Sequence, residues 1–292
     1  MQTDRPTREQ PDWNLVWQGT QQRHDATPSY HDAVHLWGEK KNAARYDQNS
    51  REQYSARVQR TIQDLCPDRT ERVLDIGAGP GTLALPLSPL VRSVTAVEPA
   101  GGMVEVLEEH ISIEGIKNIT SVPMRWEDVD PERDLFPPYD LVIASFSLTM
   151  TDLWAALKKM DMVANGLVAL YWFVDNSFWE QQYLALWPEL HDAPFSPGPK
   201  ADIVFNLLYQ HGIYADVQMF PADKTYQFAD MEEAYQFFAP RFSVIDRRQE
   251  RVLRAHLDRI RVVVSGGVAF TTPSTYARIS WRTDKNQGSL VL

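Results

Sequence analysis

Short runs of β-branched and other apolar residues alternate along the chain with longer segments whose apolar residues recur at helical spacing. The strand-like runs are predicted at 72–76, 93–97, 119–123, 139–144 and 167–173. The helical segments between them are predicted at 82–90, 103–113 and 152–164. Strands that alternate with helices favour parallel pairing through crossover helices. The pattern therefore predicts an α/β fold with a doubly wound, mostly parallel sheet.

The segments that flank this pattern are less regular. Residues 1–30 are polar with little periodicity, so we expect a flexible N-terminal arm there. Residues 31–66 space their apolar residues helically, with an interruption near 46–50, which predicts N-terminal helices or a lid. A helical insertion is predicted at 176–212, where prolines separate two helical segments. No linker or repeat divides the chain, which predicts a single domain over 1–292.

The last part of the chain predicts both strands and helices. A strand, two helices and a final strand or hairpin are expected at 215–220, 231–238, 247–263 and 268–282. These elements extend the predicted sheet beyond its first five strands.

Composition and charge narrow the function classes. The chain has 29 Lys and Arg against 39 Asp and Glu, a formal net charge of −10. Because such a chain repels phosphate backbones, we expect no nucleic acid substrate. The apolar run at 166–174 has about half of the roughly 20 residues that cross a bilayer, so a cytoplasmic protein without a membrane partner is expected. A single cysteine, Cys66, excludes an intrachain disulfide and a multi-cysteine metal site.

The strongest chemical signal is a glycine-rich loop directly after the first predicted strand. Gly77, Gly79 and Gly81 alternate with Ala78 and Pro80 before the next helix begins. Glycines at such a turn let the backbone approach a ligand, and the following helix presents its N-terminal amides. A nicotinamide-binding loop has its third glycine or alanine three positions after the second, where this chain has Thr82. The spacing therefore disfavours a dinucleotide, and a tight turn without a ligand is the alternative.

Together with Asp75, this loop resembles the first motif of class I S-adenosylmethionine-dependent methyltransferases, and the resemblance extends over about 46–173. It implies a Rossmann-like, seven-stranded fold and S-adenosylmethionine (SAM) as cofactor. Asp75 matches the acid that opens the motif, and the loop glycines with Ala78 would line the methionine and ribose moieties. Glu98, at the end of the second strand, matches the acid that binds both ribose hydroxyls. Pro99 and Met103, which follow it, are included in the expected cofactor site.

Three further segments carry the resemblance. Trp126 would pack on the adenine, with core packing as the alternative. Glu127 or Asp128 would accept a hydrogen bond from the exocyclic amine of the adenine. Ser145, at the exit of the fourth strand, would border the methionine end of the cofactor. Tyr46 resembles the aromatic residue of an aromatic–acid pair that lids the cofactor in small-molecule methyltransferases. A helix end that packs its tyrosine on the domain is the alternative for Tyr46.

Candidates for the methyl acceptor site are sparser. The end of the fifth strand and the residues just beyond it carry Tyr171, Trp172, Phe173 and Asp175. The aromatic residues among them would form a wall for a substrate or belong to the core. His31 and His35 share a helical face and are further substrate candidates. They would bind a metal with His24, but no carboxylate or cysteine completes that set, so no metal is predicted.

The resulting hypothesis is methyl transfer from SAM to a small-molecule acceptor by in-line displacement. No catalytic residue is predicted, because aligning the nucleophile, the methyl carbon and the sulfur in a dry pocket suffices unless the acceptor arrives protonated. A non-catalytic SAM- or nucleoside-binding module is the alternative. The acceptor and the oligomeric state are not predicted.

Overall fold

A computed structural model of the chain describes residues 11–27, 33–53, 55–222 and 224–283. Within these residues the helices are α1 (Trp13–Asp25), α2 (Ala33–Gly38), α3 (Lys40–Gln53), α4 (Ser55–Leu65), α5 (Ala84–Leu87), α6 (Gly101–Glu114), α7 (Leu153–Val163), α8 (Phe178–His191), α9 (Ala201–Gln210), α10 (Met231–Phe238) and α11 (Arg247–Ile260). The strands are β1 (Arg72–Ile76), β2 (Ser93–Val97), β3 (Ile119–Val122), β4 (Tyr139–Ser145), β5 (Ala164–Phe173), β6 (Asp216–Pro221), β7 (Lys224–Phe228), β8 (Val262–Val264), β9 (Gly267–Thr272) and β10 (Thr275–Arg282). None of these helices combines the length and the apolar character needed to span a bilayer.

The larger sheet has the strand order β3-β2-β1-β4-β5-β10-β6. Strands β1 to β5 pair in parallel, and β10 lies antiparallel between β5 and β6. The central strands read as continuous apolar runs because helices cover both faces of the sheet. In β1, for example, Val73 and Leu74 point to opposite faces and both are fully buried. This arrangement confirms the predicted α/β fold with a doubly wound, mostly parallel, seven-stranded sheet.

The N-terminal segment is more ordered than its composition indicates. Helix α1 starts at Asp12, whose carboxylate accepts hydrogen bonds from the backbone of Asn14 and Leu15. Trp17 is fully buried, and its indole N–H donates to the carbonyl of Met150 at 2.8 Å. The expectation of a flexible arm over 1–30 is therefore wrong for 13–25, because one large aromatic ring anchors an otherwise polar helix. Residues 1–10 and 28–30 lie outside the described residues.

A second structural unit, which we call the cap, consists of α8, α10, α11 and the sheet β7-β9-β8. Its core is rich in aromatic side chains, including Phe178, Trp187, Phe238, Phe242 and Phe270. The two helical segments predicted within 176–212 are present as α8 and α9, but they pack in different places. Only α8 joins the cap, whereas α9 packs on the larger sheet in the same cluster as β5. Pairing of α8 with the distant helices α10 and α11 divides the insertion, which local periodicity cannot predict.

The cap lies beyond the carboxyl edge of the larger sheet. At that edge β5 ends at Phe173, opposite Tyr276 of β10, and β6 ends at Pro221, opposite Thr275. The connections from these strands into the cap leave the sheet on the same side. Open α/β sheets bind ligands at this edge. The topology therefore sets the cap over the edge where a ligand is expected.

Candidate functional site

The glycine loop follows β1, and its three glycines have different surroundings. A Cβ atom on Gly77 would lie 2.2 Å from the Cβ of Ser147, and one on Gly81 would lie 2.7 Å from Leu85 and Leu107 side-chain atoms. At Gly79, with φ +57°, a Cβ would meet no described atom within 4 Å. Gly77 and Gly81 are thus required by packing against the protein. Gly79 faces open space, where a ligand can approach the backbone.

Glu98 joins this loop to the end of β2. Its Oε2 accepts a hydrogen bond from the backbone N–H of Gly79 at 2.9 Å, and its Oε1 accepts one from Ala100 at 2.9 Å. The side chain is 8% exposed, and burial raises the pKa of its carboxyl group. Each oxygen has a further lone pair for a ligand hydroxyl. Glu98 is therefore held by the loop in a position to accept hydrogen bonds from a ligand.

Asp75 lies at the end of β1 and is a second buried carboxylate in this region. It is 2% exposed, and within the described residues its Oδ2 has no hydrogen-bond partner. Burial, and to a lesser extent the charge of Glu98, raise the pKa of Asp75 to about 7, although a hydrogen bond from the Ala84 backbone acts in the opposite direction. An orphaned buried oxygen favours a ligand group that brings a donor or a positive charge. SAM, the cofactor that the resemblance implies, has an ammonium group, a sulfonium and two ribose hydroxyls, and the two carboxylates fit these groups.

The segment that carries Tyr46 packs beside Glu98. Ala78 donates its N–H to the Val97 carbonyl at 3.1 Å, and Pro99 and Ala100 lead into α6. Met103 of α6 is buried in one cluster with Ala100, against which Tyr46 packs. Helices α2 and α3 thereby cover the start of α6. This geometry agrees with both interpretations of Tyr46, a cofactor lid and a helix packed on the domain.

Trp126 belongs to the core. It is 2% exposed, its indole N–H donates to the Ala156 carbonyl at 3.2 Å, and the Lys159 Nζ lies 5.1 Å from its ring centroid. A ring enclosed in this way offers no face to a purine, so the expected adenine contact is wrong. Glu127 and Asp128, in contrast, are exposed beside it. The helix α7 that encloses Trp126 comes from a distant part of the sequence.

Tyr171 and Trp172 do not form a wall at the sheet edge. As neighbours in β5 they point to opposite faces, with exposures of 1% and 9%. The Trp172 indole N–H donates to the Pro199 carbonyl at 2.8 Å. Their expected role as substrate contacts is therefore wrong, and the alternative of core packing is correct.

Phe173, which the sequence included in the aromatic wall, does reach this edge, and sequence reasoning missed its neighbour Phe146 as a substrate candidate. Phe146 follows Ser145 directly after β4, and its ring centroid lies 4.8 Å from Phe173 and 5.4 Å from Tyr276. Phe146 has a positive φ of 57°, which is uncommon outside glycine. The Ser145 hydroxyl accepts from the Arg57 guanidinium at 3.4 Å. The position of Phe146 directly after an apolar strand was the available signal.

The two histidine candidates are not assigned by the structure. His31 lies outside the described residues, and the side chain of His35 is not described. The His24 ring lies 2.7 Å from the Ser196 carbonyl oxygen and packs edge-on against Phe195. Within 11–27, 33–53, 55–222 and 224–283, no three potential metal ligands form a group.

Solved structures share the fold of this chain. A methyltransferase-fold protein from Bacillus halodurans, described as a putative methyltransferase, superimposes with a TM-score of 0.54 and 15% identity, covering 78% of this chain and 99% of that chain. The YcgJ protein of Bacillus subtilis superimposes with a TM-score of 0.52 and 17% identity, covering 76% of this chain and 97% of that one. At such identities the similarity establishes the fold.

Several relatives match only a part of the chain. Ribosomal RNA small subunit methyltransferase G of Lactobacillus johnsonii is 33% identical over 33% of this chain and 41% of its own length. A 23S rRNA (uracil(1939)-C(5))-methyltransferase of Pseudomonas savastanoi is 45% identical over 18% of this chain and 11% of its own. Aklanonic acid methyltransferase DauC of Streptomyces is 31% identical over 43% of this chain and 58% of its own.

The two ribosomal RNA methyltransferases correct one expectation. Net charge led to the exclusion of nucleic acid as a substrate, yet RNA-modifying enzymes are among the relatives of this chain. The exclusion was wrong, because overall charge does not describe the local surface around a site.

Two further matches are a relative aligned over most of the chain and a family model that covers residues 73–165. An uncharacterized protein of Haemophilus influenzae is 28% identical over 227 residues, which cover 75% of this chain and 80% of that protein. Residues 73–165, from β1 to the start of β5, match the family model described as a methyltransferase domain. This match, together with the glycine loop and the seven-stranded sheet, confirms the resemblance to class I S-adenosylmethionine-dependent methyltransferases over residues 73–165.

Proposed function

We propose that this chain binds SAM at the glycine loop and transfers its methyl group to a small-molecule acceptor. The observation that carries the proposal is the open space at Gly79, whose N–H is hydrogen-bonded to the buried carboxylate of Glu98, at a loop that follows the buried carboxylate of Asp75. A loop that needed glycine only for a tight turn would not require a neighbouring orphaned acid, because burying such an acid costs free energy.

Named residues account for the ribose and the methionine end of the cofactor. Glu98 would accept hydrogen bonds from the ribose hydroxyls with the lone pairs that the loop leaves available. Asp75 would lie toward the positively charged methionine end, where ionisation of its carboxylate becomes favourable. Gly79 would give the backbone room to contact the cofactor. Tyr46 and Met103 would close the site from the side of α3 and α6.

When bound, SAM supplies an electrophilic methyl group on a sulfonium. The protein has to hold an acceptor atom in line with that bond and to exclude water. Phe146, at the carboxyl end of β4, borders this position with Phe173, and the cap covers the edge beyond them. Orientation and desolvation by these residues account for catalysis without an assigned general base.

A small-molecule acceptor is supported by the cap and by one relative. The cap covers the sheet edge with an aromatic core, as expected for a site that encloses a compact ligand. The Streptomyces relative is named for aklanonic acid, a small molecule. RNA as acceptor is the alternative favoured by the two ribosomal RNA relatives, and the experiment below separates the two.

The test incubates the purified chain with methyl-labelled SAM and either the small-metabolite fraction or the total RNA of a cell extract. We expect label in a small-molecule product, identified by mass spectrometry. Label confined to RNA would replace the proposed acceptor class. If the chain binds SAM but transfers no label to either fraction, the non-catalytic binding module is the better description.

A further inference from the structure

Three cationic side chains come from different parts of the chain, and the charges of two of them, Arg57 and Arg241, act on the third, Lys224, near the carboxyl edge of the larger sheet. We propose that the methyl acceptor is an anionic small molecule whose carboxylate or phosphate group is bound by Arg57, Lys224 and Arg241. This proposal rests on the proposed function. We call these three residues the cationic cluster. Arg57 belongs to α4, Lys224 to β7 of the cap, and Arg241 to the turn after α10.

Each member of the cationic cluster lies over an aromatic ring. The Arg57 guanidinium carbon is 4.8 Å from the centroid of Phe146, and the Lys224 Nζ is 5.1 Å from that of Tyr226. The Arg241 guanidinium carbon is 3.9 Å from the centroid of Trp179. Tyr226 and Trp179 in turn lie edge to face, with centroids 5.5 Å apart. The Tyr226 and Trp179 rings thus connect Lys224 with Arg241, and the charge of Arg57 acts on Lys224 from the side of Phe146.

The cationic cluster begins directly beside the glycine loop. Ser147 packs against Gly77, and its hydroxyl donates to the Ile76 carbonyl at 2.6 Å. Phe146, the preceding residue, carries Arg57 over its ring. The cationic cluster thus extends from the end of β4, where the methyl group of the cofactor is expected, into the cap. A ligand that touches both has its reactive atom near β4 and its anionic group toward Lys224.

The positive charges of the cationic cluster repel one another. Lys224 is half-buried, and burial, then the charges of Arg57 and Arg241, lower its pKa to about 8. The Tyr226 ring faces the same ammonium group. A bound anion offsets this repulsion and raises the pKa of Lys224, since an opposite charge favours the charged form. Binding of the anion therefore weakens as pH rises above about 8, when the lysine loses its proton.

The carboxylate of the cofactor itself is a second anion that could bind the cationic cluster. Arg57 contacts Ser145 at the end of β4, on the side of the cofactor site. Lys224 and Arg241 lie on the cap side and separate the two possibilities. If they bind the acceptor, their removal leaves the affinity for S-adenosylhomocysteine (SAH), the demethylated cofactor, unchanged.

The test uses benzoate and phenyl phosphate as anionic probes and benzamide as a neutral probe of similar shape. Binding to the SAH-saturated chain is measured by calorimetry for the wild type, Lys224→Met, Arg241→Met, Lys224→Arg and the control Lys158→Met. Lys158 is an exposed lysine on α7, outside the cationic cluster. In parallel, the metabolite extract is divided by anion exchange into anionic and neutral fractions for the labelled methyl-transfer assay.

We expect the two anions to bind and benzamide not to bind, with the methyl acceptor in the anionic fraction. Lys224→Met and Arg241→Met should each weaken anion binding at least tenfold, whereas Lys224→Arg and Lys158→Met should retain it. A matching melting temperature for Lys224→Met and Lys224→Arg shows that the loss is not unfolding.

Equal binding of benzamide, an acceptor in the neutral fraction, or loss of SAH affinity in Lys224→Met would overturn this inference. Transfer to RNA alone would overturn both this inference and the acceptor class of the proposed function. The other outcomes differ from failure of the proposed cofactor site, in which the wild-type chain does not bind SAH at all.

Discussion

The proposed cofactor site makes a sharp prediction at Gly79, for which the chain offers a matched control. Gly79 and Gly115 both have positive φ angles, +57° and +67°, and a Cβ on either would meet no described atom within 4 Å. Gly115 ends α6, about 20 Å from the start of that helix at 1.5 Å per residue. Replacing each glycine by alanine therefore imposes a similar backbone cost, but only Gly79→Ala adds an atom to the proposed ligand space.

The magnitudes follow from these two effects. A left-handed backbone conformation costs a non-glycine residue about 1–2 kcal/mol, so both variants should lose a similar free energy of unfolding. An added methyl group in a filled site costs about 1–3 kcal/mol, which corresponds to a fall in affinity of roughly 5- to 150-fold. Gly79→Ala should show this fall for SAH, and Gly115→Ala should bind SAH like the wild type.

Calorimetric titration with SAH and urea unfolding measure the two quantities on the same samples. The N–H of residue 79 remains available to Glu98 in Gly79→Ala, so the hydrogen bond at 2.9 Å should persist. Unchanged SAH affinity in Gly79→Ala would refute the assignment of the open space to the cofactor. So would an equal fall in both variants, since strain alone would then account for it.

Four further predictions follow from the site and the cap. Glu98→Gln should weaken SAH binding at least tenfold in a calorimetric titration, because its amide would present a donor to a backbone N–H that needs an acceptor; wild-type affinity would contradict its role. Burial raises the pKa of Asp75 to about 7, so its carboxylate is more fully ionised at pH 8 than at pH 6. SAM should therefore bind more tightly at pH 8, and Asp75→Asn should remove this pH dependence. His256 is 5% exposed and hydrogen-bonded to Gln182, and burial lowers its pKa to about 4, so the folded state keeps it neutral while the unfolded state gains a proton. Its contribution to stability is therefore lost as pH falls from about 6.5 toward 4, by at most about 1.4 kcal/mol per pH unit, and urea unfolding of His256→Gln should show a flatter pH dependence. Tyr46→Ala should lower methyl transfer more than SAH affinity, and equal protease cleavage of α3 with and without SAM would argue against a lid.

The sequence by itself determined the features that are local in the chain. The strand–glycine loop–helix unit places Asp75, Gly79 and Glu98 within about one β-α-β repeat, so their types and spacing indicate the site without knowledge of the rest. The parallel sheet was equally predictable, because alternating strands and helices leave few ways to bury both faces of the strands. The expectations that the structure corrects concern residues whose packing partners are distant in the sequence.

Tertiary structure alone decided which side chains are enclosed and which meet. Trp126 is enclosed by α7, and Trp17 anchors a helix of polar composition, because each finds its partners far away in the sequence. The apolar character of β5 does not tell which neighbour points to which face, so Tyr171 and Trp172 became core residues rather than a wall. The cationic cluster combines a residue of a helix before the first strand with residues of the cap. Hydrophobic periodicity reports only on residues that are close in sequence, so it could not predict that these side chains lie near one another.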